Sequence, residues 1–395
     1  MYTIENIDGG VCAAAGFYAD GIHIGLKKEG AKDLAFVYSD TPCAIASVFT
    51  TNKMTAAPIR HFRKKGIFEG NFVLINSKNA NAMTGPEGID DIDEVLTALC
   101  TKFPQIQHPV MSSTGVIGVR LPKKKIIEGA MNLDLTKREG NSASEAIMTT
   151  DTFPKRISFE VKLQEGRSFR IGAMAKGAGM INPAMATMLC FITTDALVDK
   201  TTMQSILDEC TKTTFNAASV DGDTSTNDTV LLMANGKSGQ FHRQAFKEAL
   251  ETIMLFLAKE MVRDGEGATK LVTYKVTGAQ DNEQAEIAAK ALSNSLLVKT
   301  ALFGEDPNWG RIASTIGASG IECDEATLSI WFDDVCVYRK GELLFNEQLE
   351  PFAAAIMQKD AFTIHCDIGI DNGTFLAYGC DLGHEYVTIN ADYRT

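Results

Sequence analysis

The chain has 395 residues, 45% of them hydrophobic and 22% charged, an ordinary globular balance that excludes a disordered or collagen-like polymer. Acidic side chains outnumber basic ones by 50 to 38, and the resulting formal charge of −12 argues against nucleic acid or an anionic membrane as partner. No apolar run reaches the roughly 18 residues that cross a bilayer.

Taken in chain order, strand-like and helix-like patterns alternate. The opening ten residues carry Glu5 and Asp8 and have neither a basic stretch nor an apolar core, so they do not read as a secretory or transit signal. Residues 72–75 form a short apolar run closed by the polar loop 76–81, and a helix is expected over 92–103. The segment 112–118 holds Thr114 and Gly115, a pair that offers a hydroxyl and an unobstructed backbone N–H. Such donors suit a developing oxyanion, although a simple loop leading to a helix near Pro122 is the reading the sequence alone favours. Lys123, Lys124 and Lys125 read as the solvated start of that helix.

A strand is expected over 169–175. The segment 176–189 follows, with Lys176, the turn glycines Gly177 and Gly179, then Pro183 and the small pair Ala186–Thr187. The spacing lacks the third glycine of a dinucleotide fingerprint and the Gly-Lys-Ser/Thr of a P-loop, so the glycines alone mark only a turn. The threonine admits a sharper reading. If the bond before Thr187 is cut, the residue gains an α-amine with a pKa of about 8, able to accept a proton from its own hydroxyl.

The acidic run 221–228 fails as a calcium loop, because Thr226 stands where glycine is required and Leu232 where a glutamate is. A turn held by Asp, Asn and hydroxyl side chains is the better account. Strands are expected over 229–233, 271–276, 327–332, 363–367 and 374–378. Apolar residues at Phe246, Leu250, Ile253, Leu257 and Met261 mark one face of a helix over 243–262, and a further helix is expected over 282–299. Two polar, glycine-punctuated loops, 265–270 with Glu266 and 304–311, fit either turns or ion-binding segments.

The alternation indicates a mixed α/β or α+β layered fold with weakly marked domain boundaries. Nine cysteines, an odd number with no C-x-x-C pair, fit reduced thiols in a cytoplasmic protein. His384 and Glu385 resemble the start of a zinc-protease helix, but Thr388 replaces the second histidine, and no other histidine spacing suggests a metal.

Read together, these segments resemble the glutamate N-acetyltransferase/ornithine acetyltransferase family of arginine biosynthesis. The resemblance is collinear from the 48–52, 56–58, 75–77 and 79–81 segments through 113–118, 148–152, 176–189, 221–228, 265–270 and 306–311 to the terminal 380–382 and 389–391. It implies a two-lobed fold with the αββα sandwich of N-terminal-nucleophile enzymes. It also implies self-cleavage between Ala186 and Thr187 into an α chain (1–186) and a β chain (187–395), assembled as α2β2. Thr187 would be the nucleophile and its amine the base, with Thr114 and Gly115 as the oxyanion pair. Thr152, Lys176, Thr187, Glu266, Asn390 and Thr395 would bind the amino acid. The implied reaction carries acetyl from N2-acetyl-L-ornithine to L-glutamate by a ping-pong route without metal or cofactor. Some members of the family also take acetyl-CoA, and no residue of the sequence decides that. Two other readings remain: a hydrolase using the same Thr187, and an uncleaved small-molecule-binding protein.

Overall fold

A computed structural model describes residues 1–28, 30–182 and 188–392. Ala186, Thr187 and Thr395 therefore lie outside the described residues. The chain forms two compact units: residues 1–177, 184–215 and 224–258 make the first, and residues 178–183, 216–223 and 259–395 the second. Each is built on one mixed sheet, so the α/β class expected from the alternation is the one adopted. Neither unit ends at 186/187; the first takes strands from both sides of that bond.

The first unit contains β1 (Thr3–Asn6), β2 (Phe17–Ile22), β3 (Leu34–Phe49), β4 (Glu69–Asn76), β5 (Val110–Ser113), β6 (Lys155–Lys162), β7 (Ser168–Lys176), β8 (Leu189–Thr194) and β9 (Thr229–Ala234). Their order is β1-β6-β7-β8-β9-β3-β4-β5, with β2 also paired to β3. The β8/β9 and β4/β5 pairs are parallel, and the remaining pairs of this sheet are antiparallel.

Its helices are α1 (Ala57–Lys65), α2 (Glu87–Lys102), α3 (Lys123–Ala130), α4 (Gly140–Ala146), α5 (Lys200–Thr213) and α6 (Arg243–Arg263), the last of which ends in residues of the second unit. The side-chain period of two divides β3 and β4 between two cores. Leu34, Phe36, Phe72 and Leu74 pack under Ile92, Val95 and Leu99 of α2 and Ile126 of α3. Ala35, Val37, Val73 and Ile75 point the other way, to Ala143 and Ala146 of α4. A strand buried on both faces shows no polar alternation, which is why 72–75 reads as a continuous apolar run.

The second unit carries β10 (Leu271–Ala279), β11 (Ser329–Phe332), β12 (Val335–Arg339), β13 (Glu342–Leu343), β14 (Ala361–Asp367) and β15 (Gly373–Cys380), in the order β13-β12-β11-β14-β10-β15. Its helices are α7 (Asn282–Asn294), α8 (Leu296–Phe303), α9 (Trp309–Ala318), α10 (Glu350–Met357) and α11 (His384–Asp392). Val272, Tyr274 and Val276 of β10 and Phe362 and Ile364 of β14 face Ala285, Ala289 and Leu292 of α7, Ile316 of α9 and Ile356 of α10.

One expectation is corrected here. The helix expected over 282–299 is two helices, because Ser295 adopts an extended backbone and its hydroxyl accepts from Val298 N to cap α8. Capping satisfies one of the donors that a helix start leaves unpaired. Leu292 and Leu296 keep a four-residue helical spacing across the break, so periodicity alone does not reveal it.

Candidate functional site

In the first unit the register of β7, β8 and β9 sets three residues side by side. Lys176 pairs with Leu189, and Leu189 pairs in parallel with Thr229. The end of β7 and the starts of β8 and β9 therefore lie level, which places Lys176, Met188 and Asp228 at one end of these central strands. Lys155, the first residue of β6, pairs with Ala175 and so joins them.

Lys176 is 2% exposed and does not stand alone. Its Nζ lies 3.6 Å from Asp151 Oδ2, while Lys155 Nζ lies 2.8 Å from Asp151 Oδ1. Asp151 also accepts from the N–H of Gly177 at 2.7 Å and of Thr149 at 3.0 Å. Burial opposes ionisation of Asp151, but the two ammonium groups and these N–H donors outweigh it and hold the carboxyl far below the usual range. The ammonium group of Lys176, buried beside this carboxylate, is of a kind suited to a substrate carboxylate. Thr152, next in the chain, is exposed.

Thr114 follows β5 and is 3% exposed. Its backbone N–H donates to Asn76 O at 3.0 Å, so its hydroxyl is the group left to offer an oxyanion. Gly115 has φ +132°, and a Cβ there would meet the Lys78 carbonyl carbon at 2.2 Å, so only glycine allows this close approach.

The loop before β9 holds this segment. Asn227 Nδ2 donates to Ser113 O at 2.8 Å and to Ala80 O at 2.7 Å. Asp228 Oδ1 accepts from Met188 N at 3.1 Å, and Thr229 N donates to Met188 O at 3.0 Å. Thr50 adds a bond from its hydroxyl to Ser225 O at 2.6 Å. The expectation of a turn held by Asp, Asn and hydroxyl groups is met, since Asn227 N donates to Ser225 Oγ and Asp223 N to Asp221 Oδ1. That reading nevertheless overlooked what the loop grips.

In the second unit, Glu266 and Asn390, expected separately, are brought together. Asn390 Nδ2 donates to Glu266 Oε2 at 2.7 Å and to the Tyr386 carbonyl at 2.9 Å. Glu266 N donates to Ala178 O at 2.9 Å. A Cβ on Gly179 would lie 2.5 Å from the Glu266 carboxylate, so the second turn glycine leaves room for that side chain.

Asp221 accepts from Ile181 N at 3.0 Å and from the Tyr386 hydroxyl at 3.2 Å. Burial raises its pKa above the ordinary carboxylate range despite these donors. Asp221 and Tyr386 join the Glu266 group through Asn390; Asp221 was read from sequence only as part of the 221–228 turn, and Tyr386 was not singled out. Asp151, Lys155, Asn227 and Asp228 were likewise not read as candidate site residues. The hint for three of them was their density of Asp and Asn in segments already marked for resemblance.

Among the described residues no group of three or more His, Cys, Asp or Glu side chains is arranged to hold a metal ion, and no helix is long and apolar enough to cross a membrane. A cavity of about 750 Å³ in the first unit, bordered by His61, Phe68, Asp93 and Cys100, includes none of the site residues named above.

Residues 18–395 match the ArgJ family. An arginine biosynthesis bifunctional protein ArgJ from Wolinella succinogenes is 60% identical over 396 residues, spanning 100% of both chains. Its counterpart from Symbiobacterium thermophilum is 44% identical, over 99% of this chain and 100% of its own. Among solved structures, an argJ bifunctional protein from Bacillus halodurans is 42% identical, covers 51% of this chain and 97% of its own, and superposes with a TM-score of 0.49. An ornithine acetyltransferase from Mycobacterium tuberculosis complexed with ornithine is 32% identical, covers 47% of this chain and 100% of its own, and gives a TM-score of 0.41.

Proposed function

Because this chain belongs to the ArgJ family, we propose that it is an acetyltransferase of arginine biosynthesis, carrying the acetyl group of N2-acetyl-L-ornithine to L-glutamate through an ester on Thr187. The observation that carries this reading is the family match over residues 18–395, joined to 60% identity with a bifunctional relative along the whole chain.

Self-cleavage comes first. The Thr187 hydroxyl attacks the Ala186 carbonyl carbon, the C–N bond breaks, and water hydrolyses the resulting ester. Ala186 is left as a carboxylate and Thr187 with a free amine. Chains 1–186 and 187–395 stay associated as α2β2 in the cytoplasm.

In turnover the α-amine of Thr187 takes the hydroxyl proton as Oγ attacks the acetyl carbonyl. The Thr114 hydroxyl and Gly115 N–H hold the oxyanion. Collapse breaks the amide bond, and ornithine leaves with the proton that the amine had stored. The neutral α-amine of glutamate then attacks the acetyl ester, restoring the Thr187 hydroxyl and releasing N-acetylglutamate. Both amides are alike, so the exchange is close to thermoneutral and needs no cofactor.

The buried ammonium group of Lys176 supports a role for it at the amino acid's carboxylate. Glu266, steadied by Asn390, suits its ammonium group, and Thr152 and Thr395 complete the substrate contacts. The word bifunctional in the relatives' names supports acetyl-CoA as a second acetyl donor to glutamate.

Mass spectrometry of the purified protein tests the reading. Two fragments are expected, the second beginning at Thr187, and Thr187→Ala is expected to remain one chain. Acetate release in place of acetylglutamate would favour a hydrolase, and an intact wild-type chain would favour a binding protein. Acetylglutamate formed from acetyl-CoA in the absence of acetylornithine establishes the second activity.

A further inference from the structure

The Asp228 side chain is fully buried and sits at the start of β9, level with the start of β8. Its Oδ1 accepts from the amide N–H of Met188, the residue that follows Thr187 in the chain. A second bond, from Thr229 N to Met188 O, ties the next residue of the chain to Met188 as well. Among the described residues Oδ2 has no hydrogen-bond partner. No ammonium or guanidinium group makes a salt bridge to Asp228 among the described residues, in contrast to Asp151 with its two lysines. A buried carboxylate without a salt-bridging partner is costly, and protonation removes most of that cost.

We propose that Asp228 is a positioning residue for Thr187: a neutral carboxyl whose Oδ1 clamps the backbone of Met188 and whose Oδ2 carries the proton. The inference rests on Thr187 being the nucleophile. Burial drives the Asp228 carboxyl well above the ordinary carboxylate range, against the pull of Met188 N–H, the nearby Thr50 and Ser225 hydroxyls and the field of Lys176, in keeping with a neutral group. The neighbouring Asn227 fastens the Ser113 carbonyl ahead of Thr114. One short loop thus fixes both the strand that Thr187 leads into and the segment that carries the oxyanion donors. Alignment of this kind is worth much to a reacting pair, since a displacement of about 1 Å at a nucleophile costs on the order of 100-fold in rate.

A neutral clamp makes a prediction that a charged base does not. Asn keeps the acceptor at Oδ1 and puts an N–H where the carboxyl had O–H, so Asp228→Asn should preserve function. Asp228→Ala should lose it.

The experiment measures the half-time of cleavage at Thr187 by mass spectrometry and the kcat and KM for acetylornithine with glutamate. Wild type and Thr187→Ala serve as controls, and circular dichroism verifies folding. Asp228→Asn is expected within about fivefold of wild type in both rates. Asp228→Ala is expected to slow cleavage and kcat by about 100-fold, with KM changed less than threefold.

If Asn is as slow as Ala, the neutral clamp is overturned in favour of an ionised group. If Ala matches wild type, no positioning role exists. Should Ala fail to fold, Asp228→Ser replaces it, being polar but too short to reach Met188 N. A wild-type chain that never cleaves would instead overturn the function proposed for Thr187, which separates the two failures.

Discussion

Removing the Asp151 carboxylate should unsettle the first unit more than any surface change. Asp151→Ala takes an ionic partner from two buried ammonium groups, Lys155 with a side-chain exposure of 0% and Lys176 with 3%. Breaking a buried ion pair by deleting one partner costs about 3–5 kcal/mol, because the remaining charge stays desolvated. The Gly177 and Thr149 N–H groups lose an acceptor as well, at about 1–3 kcal/mol for each donor left buried without another partner. These terms overlap, so a loss of about 4–6 kcal/mol is expected, a large part of the roughly 5–15 kcal/mol that typical domains possess. Lys155→Met should cost less, since Asp151 would keep Lys176 and both N–H donors.

Urea unfolding followed by circular dichroism measures this, with the first transition compared between variants. The sign of the pH dependence follows from the depressed pKa of Asp151 in the folded state. Its contribution is present above the unfolded value of about 3.9 and is lost as pH falls through the lower folded value. The gap between wild type and Asp151→Ala should therefore stay constant from about pH 8 to pH 5 and close only below about pH 4. A gap under about 1 kcal/mol at pH 7, or one that closes between pH 7 and 5, would refute the picture of a shared, ionised anion.

Two substitutions probe the reaction itself. Gly115→Ala drives a Cβ to 2.2 Å from the Lys78 carbonyl carbon and should cut kcat by about 100-fold or more through loss of the oxyanion N–H, with KM for acetylornithine nearly unchanged; steady-state kinetics decides. Gly179→Ala places a Cβ 2.5 Å from the Glu266 carboxylate and should mimic Glu266→Gln, raising KM for both amino acids by about tenfold; a KM that rises in one variant and not in the other would break the assignment.

Local chemistry was readable from the chain itself. The helix of 243–262 and the strands at 229–233 and 271–276 appear nearly as drawn, because a buried face imposes its period on the residues that fill it. The turn at 221–228 was likewise foreseen in kind, since Asp, Asn and Ser bond their own neighbouring backbone whatever the rest of the fold does. The break at Ser295 was not, because a capping hydroxyl and an exposed serine are the same letter until the backbone chooses between them.

Assembly of the site belongs to tertiary structure alone. Lys155 and Lys176 are 21 positions apart, yet they meet at Asp151 because β6 and β7 pair in one register. Glu266 and Asn390 are separated by more than a hundred residues and share a hydrogen bond. Asp228 reads from its neighbours as a turn former, and only the parallel pairing of β8 with β9 sets its carboxyl against Met188. Residue type sets what a side chain can do within its own turn of chain. Which partner it finds, and whether its charge survives burial, depends on the register between strands that are distant in sequence and on the solvent they exclude.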